Sequence, residues 1–355
     1  MKKSLWKEIE NIYSKLQDEE SKLIFFKRLQ YSLENNDAGP IRDIVIGDGY
    51  TGEGTLRALI SNLEKYKEEE IIIQGAIRGG EIIKMALEGY GFKNIVAFCD
   101  NDKSKQGRIF GNMPVISVEE ACRVHSNAVF VIMAVYHLDE IKEQLLSLGI
   151  NEANIFVSEM RYEAYGRQYF DTDIISDHSN GVFIDGGCFD LGDSIQFLAL
   201  FPNAEKVYAF EPDRENYENC LKKIKYIQSG DKIEMINKGL YDSTGEKHFV
   251  CDGDSSRISD GSSETIQTIS LDDFMENKEK VSFIKMDIEG AEMDALEGAR
   301  KTIIRDKPDL AICIYHKNSD ILDILRQILD IYPNYRLYIR HYSEYHWETV
   351  VYAVE

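Results

Sequence analysis

A chain of 355 residues is too long for one ordinary small domain and suits two. Apolar residues make up 43% and aromatics 11%, enough for real cores, which excludes wholesale disorder. The formal charge of −21 repels phosphate backbones and anionic lipid, so nucleic acid and membrane surfaces are poor partners.

The opening MKKSLWKEIENIYSKL has no apolar core of the signal-peptide kind; its apolar residues recur at helical spacing. No stretch approaches the roughly 18 uncharged apolar residues of a membrane span. The six cysteines are scattered without a CxxC pair, as expected of reduced thiols in a cytoplasmic protein.

Residues 1–68 read as a helical segment, a cap or an oligomerisation element through which a homo-oligomer could form. Leu5, Ile9, Ile12 and Leu16 set its period, and the run Asn35–Pro40 breaks it. Residues 69–158 alternate strand and helix signals. Ile71–Ile73 is a short buried strand, Ile95–Phe98 a second and Val129–Val135 a third, with helices over Glu81–Glu88 and Leu138–Leu148. This rhythm predicts a parallel sheet in a small Rossmann-like α/β domain. Its turn, Gly75-Ala76-Ile77-Arg78-Gly79-Gly80, is a damaged dinucleotide fingerprint. Ile77 stands where a glycine would admit a pyrophosphate, which argues against a nicotinamide cofactor. Asp100 could still take a ribose, so nucleotide or sugar binding stands beside a purely structural or dimerising role. Residues 159–180 form a linker carrying Tyr162, Tyr165, Tyr169 and Phe170. It is either a lid over a ligand, with Gln168 contributing, or an aromatic plug between the two domains.

From residue 181 to 355 the βα rhythm restarts. It closes on two strands, Tyr335–His341 and Trp347–Val354, that read as an antiparallel pair at a sheet edge. Val182-Phe183-Ile184 runs into Asp185-Gly186-Gly187-Cys188 and then Asp190-Leu191-Gly192-Asp193-Ser194. Glycines at a strand's carboxyl end let backbone approach a ligand. An acid there rejects a pyrophosphate and suits the ammonium and sulfonium of S-adenosylmethionine. One βαβ step later, Lys206–Phe210 ends in Glu211, placed to accept hydrogen bonds from ribose hydroxyls. A third strand delivers Lys285, Asp287 and then Glu289 and Glu292.

These segments, with Tyr-Ala-Phe-Glu-Pro-Asp (208–213), Ile-Ser-Leu-Asp-Asp-Phe (269–274), Ile-Lys-Met-Asp-Ile-Glu-Gly-Ala-Glu (284–292), Ile-Tyr-His-Lys (314–317) and Tyr-Ile-Arg-His-Tyr (338–342), resemble the FkbM family of methyltransferases. The resemblance covers about half the chain. It implies a class I, seven-stranded, Rossmann-like methyltransferase domain and S-adenosylmethionine-dependent transfer to a sugar or natural-product hydroxyl. By position, Asp185, Gly187, Asp190 and Gly192 would hold the methionine end of the cofactor, Glu211 the ribose, and Gly239 and Leu240 the adenine. Leu191 adds a residue to the family's usual spacing, leaving open which of Asp190, Gly192 and Asp193 faces the ligand. Asp287 and His316, ending adjacent strands, are candidates for acid–base work, with Lys285 beside them. The favoured reading is metal-free; Asp287, Glu289 and His316 are the alternative ligands for Mg²⁺ or Ca²⁺. The partner expected is a small-molecule or glycan acceptor, and the competing class is a sensor that binds the cofactor without turnover.

Overall fold

The structure, a computed structural model, describes residues 2–34, 39–46, 59–133, 138–157, 168–227, 229–250, 257–258, 264–343 and 346–355. The chain divides into two units, one of Met1–Ile44 with Arg167–Glu355, the other Val45–Gly166. The first three helices are α1 (Lys2–Lys15), α2 (Glu19–Leu33) and α3 (Gly39–Ile46). Of the helical segment expected over 1–68, residues 1–44 belong to the unit that also holds 167–355.

The smaller unit follows the predicted rhythm: β1 (Ile71–Gln74), α4 (Arg78–Gly89), β2 (Ile95–Cys99), β3 (Ile109–Phe110), β4 (Met113–Ile116), α5 (Val118–Val124), β5 (Val129–Ile132), α6 (Leu138–Ser147) and β6 (Ile155–Val157). The sheet order is β3-β4-β2-β1-β5-β6, parallel except at β3–β4. All of β1 is buried because each face has its own core: Ile71 and Ile73 pack with Ile83 and Leu87, and Ile72 packs with Val118, Phe130 and Leu145. The third predicted strand stops at Ile132, and residues 134–137 lie outside the described residues. The Gly75 turn serves packing. Gly75 has φ +113°, and a Cβ there would collide with the Met133 carbonyl oxygen. Asp100 accepts from Ala76 N at 2.9 Å and Lys105 Nζ at 3.0 Å, so it holds this turn closed.

The larger unit continues with β7 (Val182–Gly186), α7 (Gly192–Leu200), β8 (Lys206–Phe210), α8 (Arg214–Ile224), β9 (Ile233–Ile236), β10 (Gly239–Leu240), β11 (Gly245–Val250), β12 (Arg257–Ile258), β13 (Glu264–Ile269), α9 (Leu271–Phe274), β14 (Val281–Met286), α10 (Glu292–Gly298), α11 (Arg300–Asp306), β15 (Asp309–Cys313), α12 (Asp320–Ile331), β16 (Arg336–His341) and β17 (Thr349–Val354). Seven strands form one sheet in the order β16-β17-β15-β14-β7-β8-β9. β17 alone is reversed, antiparallel to both neighbours. This is the class I methyltransferase arrangement. The order reverses at β7, which lies between β8 and β14, so their carboxyl ends open the crevice where open α/β sheets bind ligands. A side sheet, β10-β13-β11-β12, stands beside the main sheet; two of its members, β10 and β12, have only two residues each.

Apolar alternation makes two cores around this sheet. Ile184, Phe210, Ile284 and Ile312 belong to one that also takes in Ile12, Leu16, Ile24 and Phe25 of α1 and α2. The apolar stripes of these helices are thus buried on their own sheet. The α1–α2 joint covers its edge strand: Gln17 N donates to Leu337 O at 3.1 Å, Ile339 N to Ser21 Oγ at 2.9 Å, and Arg340 pairs with Asp18 at 2.6 Å. An uncovered edge would invite pairing with other chains. On the other face, Phe183, Phe197 and Phe283 pack edge-on or tilted against Phe170, whose ring centroid lies 5.7–5.9 Å from theirs. Phe170 is therefore part of the core of its own unit. Tyr162 and Tyr165 lie outside the described residues.

Candidate active site

Asp185 ends β7 wholly buried. Its Oδ2 accepts from Ser194 Oγ at 2.6 Å, and Oδ1 lies 3.2 Å from Lys285 Nζ. Lys285, on neighbouring β14, also donates to Gly187 O at 2.7 Å and pairs with Asp193 Oδ2 at 3.1 Å. Burial works against its charge, but Asp185, Asp193 and Asp287 outweigh it and hold the ammonium well above its ordinary pKa. Lys285 is thus a protonated tether between strand end and loop. The sequence offered it as a partner of Asp287 or a contact to the acceptor; its direct ion pairs are with Asp185 and Asp193. Gly187 (φ +75°) has no room for a Cβ, which would strike the Asp287 carbonyl oxygen.

The extra residue of the loop is absorbed by left-handed backbone at Phe189 (φ +44°) and Leu191 (φ +69°). Leu191 caps α7 with its side chain fully buried, and Gly192 opens the helix. Asp190, one of the three residues left open for the cofactor, has its carboxylate 61% exposed and paired with Lys223 at 3.0 Å. Asp193 points inward instead. Burial, opposed by Lys285, raises its pKa to about 6. Glu211 is 5% exposed; Oε2 accepts from Phe189 N at 3.0 Å and Oε1 from Asp213 N at 2.9 Å. Burial pushes it up to about 7 against those two bonds. Gly239 and Leu240 form buried β10, and Leu240 packs against Gly186 at the same strand ends.

Asp287 ends β14. Its Oδ2 accepts from Tyr169 Oη at 2.7 Å and Oδ1 from Tyr315 Oη at 3.1 Å. Burial raises its pKa, but Lys285, His316 and the Tyr169 hydroxyl prevail and it stays below the ordinary value. The following turn is held by buried Glu292, whose Oε1 accepts from Ile288 N at 3.0 Å and Gly290 N at 3.3 Å. This fixes Glu289 at φ +54°. His316 Nε2 lies 3.4 Å from both Asp287 Oδ1 and Glu289 Oε2, and Nδ1 lies 3.0 Å from Glu292 Oε1. Burial disfavours the imidazolium, but Glu292, Asp287 and Glu289 together raise its pKa to about 9. Uncomplexed, His316 is therefore cationic at neutral pH and poor as a base.

Residues 186–339 match the family model described as the methyltransferase FkbM domain, and residues 66–156 match the one described as C2185-like, N-terminal. The carboxy-terminal domain is an FkbM-family methyltransferase. The chain is 27% identical over 184 residues to the 2-O-methyltransferase NoeI of Sinorhizobium fredii (strain NBRC 101917 / NGR234), covering 44% of this chain and 72% of that protein. Among solved structures it is similar to methyltransferase FkbM from Methylobacillus flagellatus KT, at 20% identity and a TM-score of 0.43 over 92% of this chain and 99% of that one. It is also similar to precorrin-6y C5,15-methyltransferase from Geobacter metallireducens GS-15, at 9% identity and 0.34 over 56% and 89%.

The FkbM domain brings further residues to Asp287 that sequence reasoning did not single out for chemistry. Tyr315 lay inside a quoted motif. Tyr169, placed in the linker, is 5% exposed and also lies 5.1 Å from Lys285 Nζ, measured at its ring centroid. Glu348, at φ +61° just before β17, is joined by Gln168 Nε2. Burial and the Asp287 charge raise Glu348 to about 7. Glu348 carried no sequence signal, because it reaches this cluster only once β17 inserts beside β15. Neither His341 nor His346 joins the cluster through the contacts described: His341 is buried against Thr349 at 2.8 Å, and His346 stacks on Tyr31.

Proposed function

We propose that this FkbM domain transfers a methyl group from S-adenosylmethionine to a hydroxyl of a sugar, glycan or related small molecule. The observation that carries the reading is the pair of buried carboxylates, Asp185 and Glu211, ending adjacent strands at the switch point of a methyltransferase sheet. Each Glu211 oxygen accepts one backbone N–H and keeps acceptor capacity for a ribose hydroxyl. Asp185, Asp193, Asp287 and Glu348 outnumber Lys285 and His316, a balance that suits a cationic ligand. Asp185, Gly187, Glu211, Gly239 and Leu240 would hold the cofactor, which when bound supplies an electrophilic methyl group on a sulfonium.

The chain's own residues supply position and a proton acceptor. Lys285 locks the loop carboxylates, and Asp287 orients the Tyr169 and Tyr315 hydroxyls. Glu348, near pH 7 in affinity for a proton, is suited to receive one from an acceptor hydroxyl. Likeness to a 2-O-methyltransferase supports oxygen as the accepting atom. The test is calorimetry of S-adenosylhomocysteine with the full chain, then a methyl-donor assay against glycosides and sugar nucleotides. No cofactor binding overturns the proposal. Binding without transfer to any hydroxyl acceptor favours a sensor.

A further inference from the structure

The geometry points to a divalent-cation site formed by Asp287, Glu289 and His316, just beyond the carboxyl ends of β14 and β15. One ligand atom from each of the three lies within 4.8 Å of the others. Nε2 of His316 is 3.4 Å from one oxygen of each acid. Two ligands at right angles around an ion 2.4 Å away are about 3.4 Å apart, so His316 Nε2 stands from each acid oxygen as one ligand stands from its neighbour around a shared ion.

Proximity of acids alone would prove little, since acids gather here for other reasons. The independent observation is His316. Its side chain is 9% exposed, yet Nε2 has no hydrogen-bond partner and is directed between the two acids. A buried polar nitrogen left in that state costs stability unless something completes it. The second shell is also in place. Glu292 lies against the other ring nitrogen and fixes the turn that carries Glu289, while Tyr315 and Tyr169 donate to Asp287. Ligating groups are oriented in this way at built metal sites.

Two carboxylates and one imidazole suit a borderline ion such as Mn²⁺, which needs the three ligand atoms drawn only slightly closer, better than Mg²⁺, whose distances of about 2.0–2.1 Å require neighbouring ligands about 2.9 Å apart. Binding replaces the imidazolium proton, as metal binding at histidine does generally. A face of three protein ligands leaves positions for water or substrate. Resting on the methyl-transfer reading above, those positions suit two neighbouring hydroxyls of a sugar, so the acceptor class would be a vicinal diol.

The full chain, stripped with a chelator, is titrated with Mn²⁺ and followed by loss of the free-ion electron paramagnetic resonance signal, with neither cofactor nor acceptor present. Saturable uptake of one ion per chain is expected. His316→Ala and Glu289→Gln, each shown to be folded by circular dichroism, should weaken it by about tenfold or more. Glu289 is part-exposed, so its variant keeps the test open if the other fails to fold. Glu211→Ala should lose S-adenosylhomocysteine affinity and keep Mn²⁺ uptake. Absence of saturable uptake, or equal uptake by wild type and both folded variants, overturns the site and leaves the cofactor reading untouched. Saturable uptake by a chain that binds no S-adenosylhomocysteine upholds the site and counts against that reading.

Discussion

Glu211 offers the sharpest test of how the cofactor is held. Burial raises its carboxyl to about 7, although two backbone N–H groups favour the ionised form. Ribose hydroxyls donate to a carboxylate, so binding requires the ionised form and must compete with the proton. The sign follows from linkage: a ligand that selects the deprotonated state binds less well as pH falls through the free-protein pKa. With that pKa at about 7, the apparent dissociation constant should be near its limit at pH 8. It should rise about tenfold by pH 6, equivalent to about 1.4 kcal/mol. Calorimetry of S-adenosylhomocysteine across this range measures it, and proton release near pH 6.5 shows as a dependence on buffer ionisation enthalpy. Glu211→Gln should bind more weakly at pH 8 and lose the slope between pH 8 and 6.5. Asp193, raised to about 6, can contribute only at the acid end, and Glu348, also at about 7, is removed from the comparison by measuring both proteins in a Glu348→Gln background. A dissociation constant unchanged between pH 8 and 6.5, or a slope that survives in the glutamine variant, would refute the argument.

Lys285→Met should lower stability by about 3–5 kcal/mol, since it strands the fully buried Asp185 and frees Asp193; denaturant titration measures this, and a loss under 1 kcal/mol would deny the tether. Gly187→Ala places a Cβ against the Asp287 carbonyl at φ +75°, so it should displace the ends of β7 and β14 and cost well over the roughly 1 kcal/mol of an unhindered glycine change. Near-native cofactor affinity and melting temperature in that variant would show that the strand ends are not so tightly joined.

The parts of this fold that sequence revealed are those set by local rules. Asp185, Glu211 and Asp287 were visible because each ends a short apolar run, and a strand's end in a parallel sheet is a place as well as a residue. The reversal of β17 followed from the short polar link after His341. What escaped depends on tertiary partners. The stripe Ile12, Leu16, Ile24 and Phe25 announces a buried helix face but not that β16 and its sheet bury it. The two-residue strand Gly239–Leu240 exists only because β13 pairs with it. Asp190 and Asp193 were not separable on paper. The choice turns on Phe189 and Leu191 both adopting positive φ, a conformation that side chains resist and that no periodicity reports.

Position relative to the two buried cations sorts the carboxylates into different states. Asp287 has Lys285 and His316 among its neighbours and two tyrosine hydroxyls donating to it, and it is held ionised. An ionised acid with so low a proton affinity orients its neighbours but accepts a proton poorly. Glu348 lies within reach of the Asp287 charge without an ion pair of its own among the described contacts; burial and that charge lift it to about 7. The Asp287 charge that fixes Tyr169 and Tyr315 is thus also what, with burial, brings the Glu348 proton affinity close to neutral pH. Environments that drive neighbouring acids apart in pKa assign them different work. Here the division needs β14 and β17 on either side of β15, an order that only the reversed last strand provides.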